Sequence, residues 1–256
     1  GPAEQIAAYT RDDLANYRAR HYHPENCVVA LAGNYDPEQV LALMQQYFGE
    51  WKKSGQRQTV PPMQPIPGQK AAREKDTEQL HICLGYPGTF LGSDELYPMS
   101  VMNNLLGGAM SSRLFQKIRE EMGMAYSIYT YPSTYVGCGT FAVYAGVSPK
   151  NGHAVLDETL KQLDLLCRDG VTEKEFREAK NQLRGSYLLG LESPGSRMQS
   201  MGRGQLHLDR CMTPEETVAK IEAVTIESVN AVARRIFSNA PCISVVGKQA
   251  ETYIKE

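Results

Sequence analysis

The sequence predicts an α+β protein built on an internal duplication, its first copy cut short. Three observations predict it. Capped amphipathic helices recur along the chain. Two strand-like runs, Tyr126–Tyr135 and Gly139–Val147, are joined by "YVGCG", a hairpin-like turn with two glycines. A helix-then-strand pattern that begins at Thr10 returns at Thr225.

The elements follow in order. "TRDDL" at Thr10 places a capping threonine three residues before an acid, with Leu14, Tyr17 and His21 on one helical face. "CVVALAG" (Cys27–Gly33) is a continuous apolar run of strand length, which predicts a buried strand. "DPEQV" at Asp36 has an Asp cap and a proline at the first helical position. Its apolar face is Val40, Leu41, Met44, Tyr47 and Phe48. Residues 52–70 hold four prolines and two glycines with almost no periodicity, which predicts an extended linker and a domain boundary. Beyond it come a strand over about Glu78–Tyr86, a helix over Asp94–Leu106, a short helix over Ser111–Glu121 and the hairpin. Asn151–Arg168 reads as a helix stopped before Gly170, and "TEKEF" at Thr172 opens the next. Further helices are expected over Ser193–Leu208, from Thr213, and over Thr225–Phe237, then the strand Cys242–Gly247. The chain therefore divides into 1–51, a remnant of a first domain; 52–70, the linker; and 71–256, a complete second domain.

The duplication rests on detail. From Thr10 and from Thr225 the chain shows an apolar residue four and seven places on, then an Arg, an aromatic and a Pro, then a Cys-led strand ending in Gly33 or Gly247. Coincidence of two helix–strand units is the plain alternative. If the copies are equivalent, the first lacks most of its length, because about 150 residues separate Glu78 from Thr225 and only nine precede Thr10. The expectation is a reading frame extending upstream.

Composition narrows the function. The 256 residues are 42% hydrophobic and 22% charged, with a formal net charge of −2, so no basic field points to nucleic acid or an anionic membrane. No apolar run reaches the roughly 18 residues of a membrane span. Six scattered cysteines without a C-x-x-C pair read as reduced core residues of a cytoplasmic protein. Gly1-Pro2 is compatible with a start inside a longer protein, so the lack of a leader says little about export. No H-x-x-E-H or H-E-x-x-H occurs, and His21 and His23, two apart, do not share a helix face. No metal site is expected. G-x-S-x-G is absent as well.

One stretch remains, "LLGGAMSSRLFQKIREEMGMAYSIY" (Leu105–Tyr129). Gly107 and Gly108 precede a helix start with Ser111 and Ser112, where amides and hydroxyls can hold an anion. Neither G-x-x-x-x-G-K-[ST] nor G-x-G-x-x-G is met, so the plainer reading is a structural loop that breaks one helix and caps the next. Arg119 and Tyr126 stand on either side of Gly123, which allows a sharp helix exit. A guanidinium beside a phenol is a donor pair suited to carbonyl oxygens or a carboxylate. On chemistry alone, a solvated arginine and a sheet tyrosine are the plainer explanation.

"MNNLLGGAMSSRLFQKIREEMGMAYS" (Met102–Ser127) resembles the pitrilysin and mitochondrial-processing-peptidase family of inverzincin zinc peptidases, in its bacterial, processing-peptidase-like branch. The segments opening at "TRDDLANYRARHYHPENCVVALAGN" and "LLGLESPGSRMQSMG" extend the resemblance over the whole chain. The resemblance implies duplicated α/β sandwich domains, each with an antiparallel-rich sheet and helices on one face, closing as a clamshell. It implies that one domain binds zinc through H-x-x-E-H and a downstream Glu, while the facing domain contributes an Arg and a Tyr near the scissile bond. Those two map onto Arg119 and Tyr126. The zinc motif falls outside this chain, so no catalytic residue and no metal ligand is expected in it. Zinc is expected in the full-length protein or in a partner domain. The implied function is the C-terminal, substrate-clamping part of a zinc metalloendopeptidase, with this chain inactive alone. The competing reading is a non-catalytic partner subunit. The expected partners are a peptide substrate, the missing zinc domain or a zinc-bearing subunit, and a second copy as a homodimer; nucleic acid and membrane are not expected.

Overall fold

The computed structural model describes residues 1–53, 61, 63 and 65–254. The chain divides into two units, residues 1–60 with 190–212 and residues 61–189 with 213–256. Residues 190–212, assigned from the sequence to the second domain, thus cluster with the first unit. Of the linker reading, residues 54–60, 62 and 64 lie outside the described residues.

The first unit is helical. It holds α1 (Ala3–Ala8), α2 (Arg11–His21), α3 (Pro37–Phe48) and α7 (Pro194–Leu208). The starts follow the capping chemistry. Asp13 N–H donates to Thr10 Oγ1 (3.3 Å) and Thr10 N–H donates to Asp13 Oδ2 (2.9 Å), closing a capping box. Asp36 Oδ1 accepts from the N–H groups of Glu38 and Gln39. None of these helices buries a residue, and Leu14, Tyr17, Leu41 and Tyr47 remain exposed. Cys27–Gly33 departs from expectation. It forms no strand, and no residue in it is buried. A strand exists only through a neighbour that takes its N–H and C=O groups, and no neighbour pairs with this segment among the described residues.

The second unit contains β1 (Lys70–Glu74), β2 (Leu80–Pro87), α4 (Leu96–Asn103), β3 (Ala125–Tyr135), β4 (Cys138–Val147), α5 (Gly152–Asp169), α6 (Glu173–Gly190), α8 (Pro214–Glu222), α9 (Ile226–Phe237) and β5 (Cys242–Gly247). The sheet order is β1-β5-β2-β4-β3. Only β1–β5 is parallel; the other pairings are antiparallel. This is the expected mixed α/β unit. The sequence reading missed β1. "KAARE" has no β-branched or aromatic residue and becomes a strand by pairing with β5, Lys70 opposite Ile243 through Glu74 opposite Gly247.

One face of the sheet is buried. β2 turns Leu80, Ile82, Leu84 and Tyr86 inward, against α5 and α9, where Val155, Val229 and Ile236 are fully buried. Each such side chain contributes about 1.5–3 kcal/mol relative to exposure. Phe237 meets Tyr86 and Phe141 edge-on, at 5.0 and 5.6 Å between ring centroids. The six cysteines are free thiols, but they are not core residues as expected: five are half-buried and Cys211 is exposed. No helix among the described residues is long and apolar enough to cross a membrane.

Candidate functional site

The stretch singled out in the sequence lies between α4 and β3. α4 runs on into a wide π-helical turn, Asn104–Gly108, and a second π-helical segment covers Phe115–Glu121, where Met122 N–H donates to Lys117 O at 3.1 Å. Gly107 and Gly108 therefore sit in a helical turn rather than a loop. The reason for Gly107 is a close approach. A Cβ there would lie 2.6 Å from Thr130 Cγ2 and 2.7 Å from Thr130 N on β3. Thr130 Oγ1 donates to Asn103 Oδ1 (2.8 Å), which pins the helix end to the strand. Neither Ser111 nor Ser112 caps the next segment; Ser112 is buried, and its hydroxyl has no partner among the described residues.

Arg113 anchors the start of the second π-helical segment. It donates from Nε and Nη2 to Glu175 Oε1 (2.6 Å) and Oε2 (2.8 Å), and from Nη2 to the Gly170 carbonyl (2.9 Å). Glu175 is also the far partner of Thr172 in a capping box at the head of α6. Burial pulls its carboxyl upward, but hydrogen bonds from Arg113 and from Thr172, with the guanidinium charge, hold it at about 2.

Arg119 lies two turns on. It is exposed, with its guanidinium 4.8 Å from the centroid of Phe115. Gly123 then takes φ +61° and the chain turns into β3. Tyr126 comes next. Ile128 and Thr130 point into the core, so strict alternation would send Tyr126 inward too. A β-bulge between Ala125 and Ser127 intervenes, and Tyr126 is 76% exposed. Bulges re-aim side chains in this way. Arg119 and Tyr126 therefore both reach solvent from elements that pack on each other.

The outward face of the sheet carries groups that sequence reasoning passed over. Tyr129, Tyr131 and Tyr144 form an aromatic row, with ring centroids 5.9 Å apart for Tyr129–Tyr131 and 4.9 Å for Tyr129–Tyr144. His81 Nδ1 lies 2.7 Å from the Tyr144 hydroxyl. Cys83 is opposite Tyr144 in the ladder, and together with burial it pushes the Tyr131 phenol upward. Gly146 leaves room for this row, since a Cβ there would lie 2.7 Å from Ser127 Oγ and 3.2 Å from the Tyr144 hydroxyl. The alternation of tyrosines with Ile128 and Thr130 was the available signal.

A structural or catalytic zinc takes three or four converging donors. Among the described residues no three His, Cys, Asp or Glu side chains converge. The His23 ring hydrogen-bonds the Arg20 carbonyl, and His81 is engaged with Tyr144. The described donor set does not fit the metal.

Comparison with known proteins places this geometry. Residues 8–183 match the family described as "Peptidase M16 inactive domain". The Bacillus subtilis protein named "Uncharacterized zinc protease YmxG" is 36% identical over 247 residues, covering 96% of this chain and 60% of that protein. "Uncharacterized zinc protease Rv2782c" of Mycobacterium tuberculosis is 38% identical over 255 residues, covering 96% and 57%. The chain thus spans less than two thirds of these relatives. A protease from Helicobacter pylori shares the fold at a TM-score of 0.83 and 18% identity, covering 96% of this chain and 61% of that one. The peptidase M16 inactive domain from Pseudomonas fluorescens does so at 0.83 and 19%, covering 97% and 60%.

Proposed function

This chain belongs to the peptidase M16 inactive-domain family, and from that premise we propose that it is the substrate-clamping, C-terminal part of a zinc metalloendopeptidase acting on peptides or unfolded segments. Residues 1–51 are then the end of a first, zinc-type domain. The metal belongs to the part of the protein outside these residues, and when bound it supplies Lewis-acid chemistry to the scissile carbonyl. The observation that carries this reading is the bulge that turns Tyr126 out of the core, a few residues from the exposed Arg119.

Both side chains donate hydrogen bonds. The guanidinium presents a fixed fork of N–H groups, and the phenol a single O–H. Aimed at a peptide carbonyl, they stabilise negative charge as it develops on that oxygen. The Phe115 ring restricts where the Arg119 guanidinium points, which lowers the entropy lost on engaging substrate.

The test uses the whole polypeptide with its zinc domain. Tyr126→Phe should lower kcat about 10²–10³-fold with little change in KM, as expected for a donor that acts in the transition state. Arg119→Lys, which loses the fork but keeps the charge, should also reduce kcat/KM. Wild-type kinetics in both variants would leave Tyr126 and Arg119 as surface residues and sink the proposal.

A further inference from the structure

Gly85 sits in β2 between β4 and β5, opposite Ala142 on one side and Cys242 on the other. A glycine weakens the interior of a strand, and it commonly marks a bulge or a place where another group comes close. β2 keeps a continuous register with both neighbours, so there is no bulge here. Nor does packing require the glycine. A Cβ at this position would have nothing nearer than the Cys242 Cβ, at 3.8 Å. Gly107 and Gly146 differ, since a Cβ at either would meet neighbours at 2.6–2.8 Å. The position faces outward, because Leu84 and Tyr86 beside it point into the core. The result is a depression in the open face of the sheet.

Tyr131 walls one side of it. Its hydroxyl reaches across β4 to hydrogen-bond Cys83 on β2. Tyr129 packs against both Tyr131 and Tyr144, and His81 holds the Tyr144 hydroxyl. The rings are thus fixed in advance, so little side-chain freedom is lost when something covers them. Yet Tyr129 and Tyr131 remain 44% and 41% exposed. On the far side Ser244 is exposed, although β5 is an interior strand. Cys83, Ala142, Cys242 and Ser244 surround the depression, and none of them carries a charged side chain.

We infer that the depression over Gly85 is a subsite for one bulky apolar side chain, aromatic or aliphatic, of the peptide that Arg119 and Tyr126 engage. This rests on the functional reading above. A preformed aromatic wall without charge suits such a side chain. A charged side chain would lose its water there and gain no partner. Tyr126 and Tyr131 lie five residues apart on one strand, which spans about 16 Å at about 3.3 Å per residue. The subsite therefore selects a residue about five positions along an extended peptide from the carbonyl bound by Tyr126. It sets which peptides bind, not how fast the bond breaks.

The test is equilibrium binding to the whole polypeptide, depleted of zinc so that nothing is cleaved. The probe is a fluorescently labelled Gly/Ser peptide with one central Phe, compared by anisotropy with the same peptide carrying Gly there. The Phe peptide should bind about 10–100-fold more tightly, as burial of a side chain of that size implies. Gly85→Leu fills the depression from a position with room for a Cβ, and Tyr131→Ala removes the wall. Each should abolish the preference, while Tyr131→Phe, which keeps the ring, should retain most of it. Equal binding of the two peptides by the wild type overturns the inference. So does a preference that survives Tyr131→Ala, or that survives Gly85→Leu in a protein whose circular dichroism is native. If Gly85→Leu does not fold, Tyr131→Ala decides alone. Self-association of the polypeptide that Tyr131→Ala abolishes assigns the face to a second copy and overturns it as well. Binding here is read without turnover. A preference lost in the Gly85 and Tyr131 variants, beside wild-type kinetics in the Arg119 and Tyr126 variants, therefore sinks only the functional proposal, and the reverse pattern sinks only this one.

Discussion

Replacing Arg113 by methionine removes the guanidinium while keeping most of the stem. Three hydrogen bonds are lost, two to Glu175 and one to the Gly170 carbonyl. The pair is largely shielded, with side-chain exposures of 17% for Arg113 and 30% for Glu175. Breaking a fully buried pair costs about 3–5 kcal/mol because it strands the surviving charge. Partial exposure of Glu175 reduces this to about 2–3 kcal/mol. The pH dependence gives an independent figure. A carboxyl at about 2 rather than 4.5 represents at most about 3.5 kcal/mol, at about 1.4 kcal/mol per pH unit; Thr172 supplies part of it, and discounting for that share and for exposure leaves about 2 for Arg113. The sign follows from linkage. A lowered carboxyl stabilises the fold fully above its unfolded value and loses that contribution as pH falls towards the folded one. Arg113→Met should therefore lower the melting temperature by about 5–10 °C near neutral pH, and the gap from wild type should narrow between about pH 4.5 and 2. Thermal unfolding followed by circular dichroism over that range is the assay. A shift below about 2 °C at neutral pH, or a gap that ignores acid, would refute the reasoning.

Gly107→Ala should destabilise the second unit by about 1–3 kcal/mol in urea unfolding, because the added methyl meets Thr130 at 2.6 Å; a neutral result would mean that helix and strand separate freely. Thr225→Ala removes the side-chain acceptor for Ser228 N–H at the start of α9 and should cost about 1 kcal/mol, with no loss indicating that water serves equally well. Burial first, and the neighbouring Cys167 second, raise the Tyr86 phenol well above its usual 10. An alkaline absorbance titration should find one tyrosine that ionises only as the protein unfolds, and stability should fall as pH rises past about 10. Loss of that delayed step in Tyr86→Phe identifies the residue; its persistence refutes the assignment. Tyr126→Phe should change stability by less than about 0.5 kcal/mol, since the side chain is 76% exposed; a larger loss in the same unfolding assay would make it a structural residue.

How much was legible depended on the range of the interaction. The boxes at Thr10, Thr213 and Thr225 close between residues three apart, so local sequence contains both partners. The Val136-Gly137 turn was legible for the same reason: Gly137 takes φ +80°, which a glycine adopts without strain. Strands are relations between distant segments. "KAARE" is a strand because β5 lies beside it, and "CVVALAG" is none although its composition is better suited. The bulge at Ala125–Ser127 depends on the register against Val147 and Gly146. The sequence therefore singled out Tyr126 but not the means of exposing it. The link from Arg113 to Glu175 spans 62 positions, and no local pattern announces it.

β3 forms one border of the sheet, and it is not a continuous border. The bulge interrupts it at Ala125–Ser127, and Pro132 has no N–H to offer. Between them only Ser127–Tyr131 presents a regular ladder to a visiting strand. Such interruptions keep sheet borders from zipping together in concentrated solution. The tyrosine-rich strand can thus display its rings without becoming a seed for aggregation. An extended guest that docks here is limited to about five residues of backbone pairing, a length too short to hold it without side-chain contacts.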